Sequence, residues 1–89
     1  MNSKSLVRAD ILVLLNSAIQ RDTSQGRLVC STSLQRLGLA ESETDILRVL
    51  EDLNHAFAGI EAHGSLSTDE FKAVVRLREL QRSLQMAGA

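Results

Sequence analysis

The chain contains no proline, tryptophan or tyrosine, and Phe57 and Phe71 are its only aromatic residues. Leucine, valine, isoleucine and alanine make up most of the apolar residues, a set that suits helices better than a β-sandwich. Because Cys30 is the single cysteine, an internal disulfide is excluded, which fits a reducing compartment. These absences together favour an all-α domain with an aliphatic core.

Long apolar runs and a strong charge of one sign are also missing. Near the start, the longest apolar run covers residues 11–15, which is too short for a signal peptide or a membrane span. We therefore expect a cytoplasmic protein with no membrane span. The net charge of −1 and the isoelectric point near 6.1 argue against a protein that coats nucleic acid.

The chain is long enough for one compact core and too short for two. Its 89 residues, 44% of them apolar, predict a single monomeric domain spanning 1–89. Within it, apolar residues recur at helical spacing over 5–20, 43–58 and 68–85, which predicts three helices. The predicted buried positions are Val7, Ile11, Leu14, Leu15 and Ala18, then Ile46, Leu47, Leu50, Leu53 and Phe57, then Phe71, Val74, Leu77, Leu80 and Leu84.

Turn and cap residues set the limits of these helices. Ser42 and Ser67 occupy N-cap positions with acidic residues behind them, and Gly59 is expected to end the second helix. Residues 28–39 predict a long connection that packs onto the bundle through its own leucines, and residues 60–66 predict a short link. The sequence thus predicts a small bundle of three main helices with a long, packed first loop.

Three segments, taken in order, carry a resemblance to one family. The first segment is similar to a family stretch of the form tSLedLGL and reads Thr32-Ser33-Leu34-Gln35-Arg36-Leu37-Gly38-Leu39. The second is similar to the end of a family helix, F-g-I-e-I, and reads Phe57-Ala58-Gly59-Ile60-Glu61. The third is similar to I-S-T-x-x-x-L-V and consists of Leu66-Ser67-Thr68 with Phe71, Val74 and Val75. The family is that of the acyl carrier proteins. The link between Phe57 and Ser67 is shorter than the family's, so the resemblance implies a short or vestigial third helix.

The resemblance implies that Ser42 carries 4'-phosphopantetheine, attached covalently from coenzyme A by a phosphopantetheinyl transferase. In the family the attachment serine is followed by leucine, whereas Glu43 follows Ser42 here. Ser65 and Ser33 are the other candidate serines. Only one helix follows Ser65 in the sequence, and no helix is expected directly after Ser33. The alternative use of Ser42 is a plain N-cap, the commonest role of serine at a helix start.

Acidic residues cluster in the middle of the chain, where residues 41–61 hold six of them against Arg48 alone. In a carrier they would meet basic patches on acyl-transferring or condensing enzymes, which speeds encounter. The candidate recognition residues are Glu41, Glu43, Asp45, Glu51 and Asp52. The alternative is an ordinary solvated helix face.

Other chemistry-bearing residues form no convincing catalytic or metal-binding pattern. His55 and His63 are eight residues apart and Cys30 is remote from both, so metal-ligand spacing is absent. We therefore expect no enzyme and no metal site. The leading hypothesis is a carrier of acyl or aminoacyl groups, and the runner-up is a carrier-like interaction module without the prosthetic group. A helix-turn-helix DNA-binding protein fits poorly, because the link between residues 21 and 42 is too long for that motif's turn.

Overall fold

A computed structural model describes residues 3–20, 24–63 and 66–87, with the side chains of all but 60–63. Four α-helices occupy these ranges: α1 Ser3–Gln20, α2 Ser24–Leu39, α3 Glu43–His63 and α4 Thr68–Ala87. The described part of the chain contains no strand, so the predicted all-α class is confirmed. Across the same residues, no helix combines the length and hydropathy that a bilayer crossing requires.

The helices form a four-membered bundle in which each packs against its neighbours in sequence. α1 also packs against α4, which closes the ring, and α1 meets α3 across the middle. At one end, Lys4 Nζ donates hydrogen bonds to the carbonyl oxygens of Gly38 (3.4 Å) and Ala40 (3.1 Å). The start of α1 therefore lies beside the end of α2, and these two helices run antiparallel.

The core is aliphatic, as the composition predicts. Most of the predicted positions are buried, among them Ile11, Leu14, Leu50, Leu53 and Leu77, each at most 1% exposed. In α4 the prediction is wrong for Phe71, which is 55% exposed, whereas Glu70 is 4% exposed. Glu70 turns inward because it completes the helix cap: Ser67 N donates to Glu70 Oε1 (3.0 Å) and Glu70 N donates to Ser67 Oγ (3.2 Å).

The predicted long first loop is wrong, because residues 24–39 form α2. Its buried residues are Gly26, Cys30, Ser33 and Leu37, which recur at helical spacing but are mostly small or polar. The apolar Leu28 and Leu39, by contrast, are 67% and 82% exposed. The sequence did not predict α2 because the residues that face the bundle are mostly small or polar, whereas two of its leucines face solvent.

The predicted end of the second helix at Gly59 is also wrong. α3 continues through Gly59 to His63, and no separate short helix lies between α3 and α4 in the described ranges. A glycine ends a helix by adopting a left-handed conformation, but Gly59 keeps a backbone that L-residues also adopt. The bundle therefore has four long helices in place of three main helices and a vestigial one.

Candidate functional site

Ser42 lies at the junction between α2 and α3, immediately before the first residue of α3. Its side chain is exposed, and Ile46 N donates to the Ser42 carbonyl oxygen (3.1 Å) to form the first hydrogen bond of the helix. The candidate attachment residue thus stands at the N-terminus of the longest helix in the described chain, with the acidic residues Glu43 and Asp45 in the first turn behind it.

Ser42 also caps α3, which confirms the predicted N-cap. Asp45 N donates to Ser42 Oγ (3.2 Å), and Glu41 N donates to Asp45 Oδ2 (3.1 Å). The hydrogen bond from the Glu41 backbone, with further ones from the Ser42 side chain and backbone, lowers the pKa of Asp45 below its ordinary value. The serine and the aspartate therefore hold each other at the junction.

The five candidate recognition acids do not form an uninterrupted acidic surface. Glu41, Glu43, Glu51 and Asp52 are exposed and Asp45 is partly exposed. Arg36 of α2 pairs with Asp52, and the positive charge of Arg48 helps to lower the pKa of Asp45. Among the described residues Glu41, Glu43 and Glu51 form no ion pair, so Glu41 and Glu43 carry unpaired negative charge on either side of Ser42 and Glu51 carries it farther along α3.

The rival serines differ in accessibility. Ser33 lies inside α2, not in a connecting loop as predicted, and is 6% exposed, which removes its hydroxyl from the reach of a modifying enzyme. Ser65 lies outside the described residues.

Cys30 is buried in α2. Burial, together with the negative charge of Glu70, raises the pKa of the Cys30 thiol to about 11, which suppresses the thiolate needed for nucleophilic attack. Among the described residues, no three His, Cys, Asp or Glu side chains come together as a metal site. His55 is exposed, and the His63 side chain lies outside the described residues.

A cavity of about 350 Å³ between α1 and α2 was not predicted from the sequence. It is lined by Lys4, Ser5, Arg8, Leu12, Leu34, Leu37 and Gly38. The basic residues Lys4 and Arg8 are four positions apart, which places them on one face of a helix, but nothing in the pattern says that residues 34–38 lie opposite them.

We compared the chain with known protein families, curated proteins and solved structures. No family model, curated protein or solved structure matches the chain.

Proposed function

We propose that this protein is a carrier that holds an acyl or aminoacyl group as a thioester on 4'-phosphopantetheine attached to Ser42. The observation that carries the proposal is the position of Ser42: an exposed hydroxyl immediately before a 21-residue helix, flanked by exposed acids. Resemblance of the flanking segments to acyl carrier proteins supports the same assignment, but the resemblance implies a serine at the start of the second helix after a loop, whereas residues 24–39 are helical and Ser42 precedes the third helix.

The surroundings of Ser42 fit the prosthetic group. The side chain is open to solvent, so a transferase can reach its hydroxyl. When bound, the group supplies a flexible arm ending in a thiol that holds the cargo. The chain itself needs no catalytic base, because a separate transferase activates the serine; its own part is to fix Ser42 through the hydrogen bonds with Asp45.

The unpaired acids support docking to basic enzymes. Glu43 and Glu51 project from α3 in the described structure without a cationic partner, close in sequence to the attachment serine. Unpaired exposed charge speeds encounter with a surface of opposite sign more than it adds affinity. The partners proposed are the phosphopantetheinyl transferase and the acyl-transferring or condensing enzymes.

The test is the intact mass of the full chain after incubation with coenzyme A and a broad-specificity phosphopantetheinyl transferase. We expect one phosphopantetheine to be added, and Ser42→Ala to abolish the addition. Ser67→Ala is the matched control, because Ser67 is also exposed and also caps a helix. An unmodified wild-type chain contradicts the proposal, and a label on Ser65 contradicts the assignment to Ser42.

A second candidate is a helical protein-interaction module that carries no prosthetic group. Two observations favour it: Ser42 Oγ already accepts the hydrogen bond that caps α3, and α2 exposes Leu28 and Leu39 on its outer face. Photo-crosslinking from position 28 in cells, followed by identification of the captured protein, tests this candidate. Crosslinking from the exposed position of Ser83 on α4 is the control, and equal capture from both positions contradicts it.

A further inference from the structure

The cavity between α1 and α2 has an apolar floor. Leu12 is 43% exposed and Leu34 is half-buried, so these two side chains supply most of its apolar surface, whereas Leu37, 1% exposed, is already covered by the protein. Gly38 leaves one side open, since a Cβ at this position would meet no atom within 4 Å. The floor therefore offers apolar surface that a ligand can cover.

The rim of the cavity is basic. Lys4 and Arg8 line it, and no acidic residue does. Lys4 Nζ is already engaged by the carbonyl oxygens of Gly38 and Ala40, so it neutralises the negative end of α2. No described residue pairs with the Arg8 guanidinium, which leaves this group to bind an anion.

The dimensions favour a small molecule over a docked helix. A volume of about 350 Å³ lies at the lower end of the range of roughly 300–1,000 Å³ for small-molecule sites. The α1 wall covers residues 4–12, about 12 Å of helix, but the opposite wall on α2 covers only residues 34–38, about 6 Å. A helix docked through anchors at i and i+7 needs about 10 Å of facing wall.

We propose that this cavity binds a free medium-chain carboxylate, with the carboxylate on Arg8 and the hydrocarbon chain along Leu12 and Leu34. A guanidinium holds a carboxylate through two parallel hydrogen bonds, and the leucines remove the chain from water. The site is non-covalent and does not involve Ser42, so it stands or falls independently of the carrier function.

The experiment is an NMR titration of the unmodified full chain with decanoate, with decyltrimethylammonium as the cationic counterpart of equal chain length. We expect decanoate to shift the amide signals of residues 4–12 and 34–38 saturably. The cationic probe is expected to bind at least about tenfold more weakly, because it meets Arg8 with like charge. No saturable shift, shifts elsewhere, or equal affinity for both probes would overturn the proposal.

Two variants separate the roles of rim and floor. Arg8→Gln is expected to weaken decanoate binding about tenfold, whereas Arg82→Gln, at an exposed arginine of α4, is expected to leave it unchanged. Gly38→Leu adds a bulky side chain to the cavity lining at a position where the new Cβ meets no atom within 4 Å, so the protein is expected to stay folded and to lose binding. Wild-type affinity in a folded Gly38→Leu variant would place the ligand elsewhere and refute the assignment.

Discussion

Arg76 on α4 donates two hydrogen bonds to a single oxygen of Asp10 on α1, from Nε at 3.0 Å and from Nη2 at 2.7 Å. The Asp10 side chain is 14% exposed and that of Arg76 is 53% exposed, so the pair lies at the edge of the interface that closes the bundle. The interaction raises the pKa of Arg76 further above neutrality, so the arginine stays charged. The pair joins the first helix to the last.

Arg76→Gln is therefore expected to lower the urea midpoint of unfolding, because it leaves the mostly shielded Asp10 carboxylate without its cation. Adding salt is expected to narrow the difference from wild type, since the arginine is half exposed. Arg82→Gln serves as the control. Equal midpoints in the wild type and Arg76→Gln would show that the pair contributes nothing to closure.

Gly59→Ala is expected to stabilise the protein by about 0.5–1 kcal/mol, because alanine loses less backbone entropy than glycine inside a helix. The structure leaves open space where the new methyl group would lie. Chemical unfolding measures the change. A loss of stability would mean that α3 ends at Gly59, as the sequence pattern suggested.

Leu53→Ala is expected to cost about 2–5 kcal/mol, since Leu53 is 1% exposed and its removal leaves a cavity in the core. Phe71→Ala removes more atoms but is expected to cost less, because its ring is 55% exposed. A larger loss of unfolding free energy in Phe71→Ala than in Leu53→Ala would indicate that Phe71 is buried, as the sequence predicted.

The pKa of Asp45 is expected to lie below the ordinary value for aspartate, because its ionised form accepts the hydrogen bond from the Glu41 backbone. Because folding lowers this pKa, Asp45 stabilises the protein at pH values above its pKa in the unfolded chain. This stabilisation is lost as the pH falls through its pKa in the folded protein. NMR titration of the carboxyl carbon measures the value. Ser42→Ala is expected to raise it only in part, since the Glu41 hydrogen bond remains; an ordinary pKa in the wild type contradicts the capping geometry.

Cys30 is expected to react slowly with thiol reagents in the folded protein and rapidly after unfolding. Its pKa rises from 9.0 to about 11 on folding, so the stabilisation of the protonated thiol is present below pH 9.0 and is lost as the pH rises toward 11. Between pH 9.0 and 11, the free energy of unfolding is expected to fall less in Cys30→Ala than in the wild type. An equal fall in both proteins would show that Cys30 does not contribute to the loss of stability at high pH.

The parts of the fold that the sequence predicted correctly depend on local signals. Ile11 and Leu50 lie on apolar stripes, and Ser42 and Ser67 precede helices with acids in their first turns, so periodicity and capping identify α1, α3 and α4. α2 was missed because Cys30 and Ser33 face the bundle while Leu28 faces solvent.

The cavity depends on tertiary structure that no local pattern contains. Its two walls are separated by more than twenty residues, and Arg8 and Leu34 become neighbours only when α1 and α2 pack antiparallel. Ser42 could be singled out because its signal, a serine followed by acids at a helix start, is local.

The ring of helices has a consequence for how quickly the chain folds. Three of its four sides join helices that are consecutive in the chain, so each can form by closing a short connection. Only the side between α1 and α4 brings together distant parts of the chain, and it carries the largest entropic cost of loop closure. Topologies dominated by such local pairings fold within microseconds to milliseconds, so the chain spends little time with its leucines exposed to other molecules.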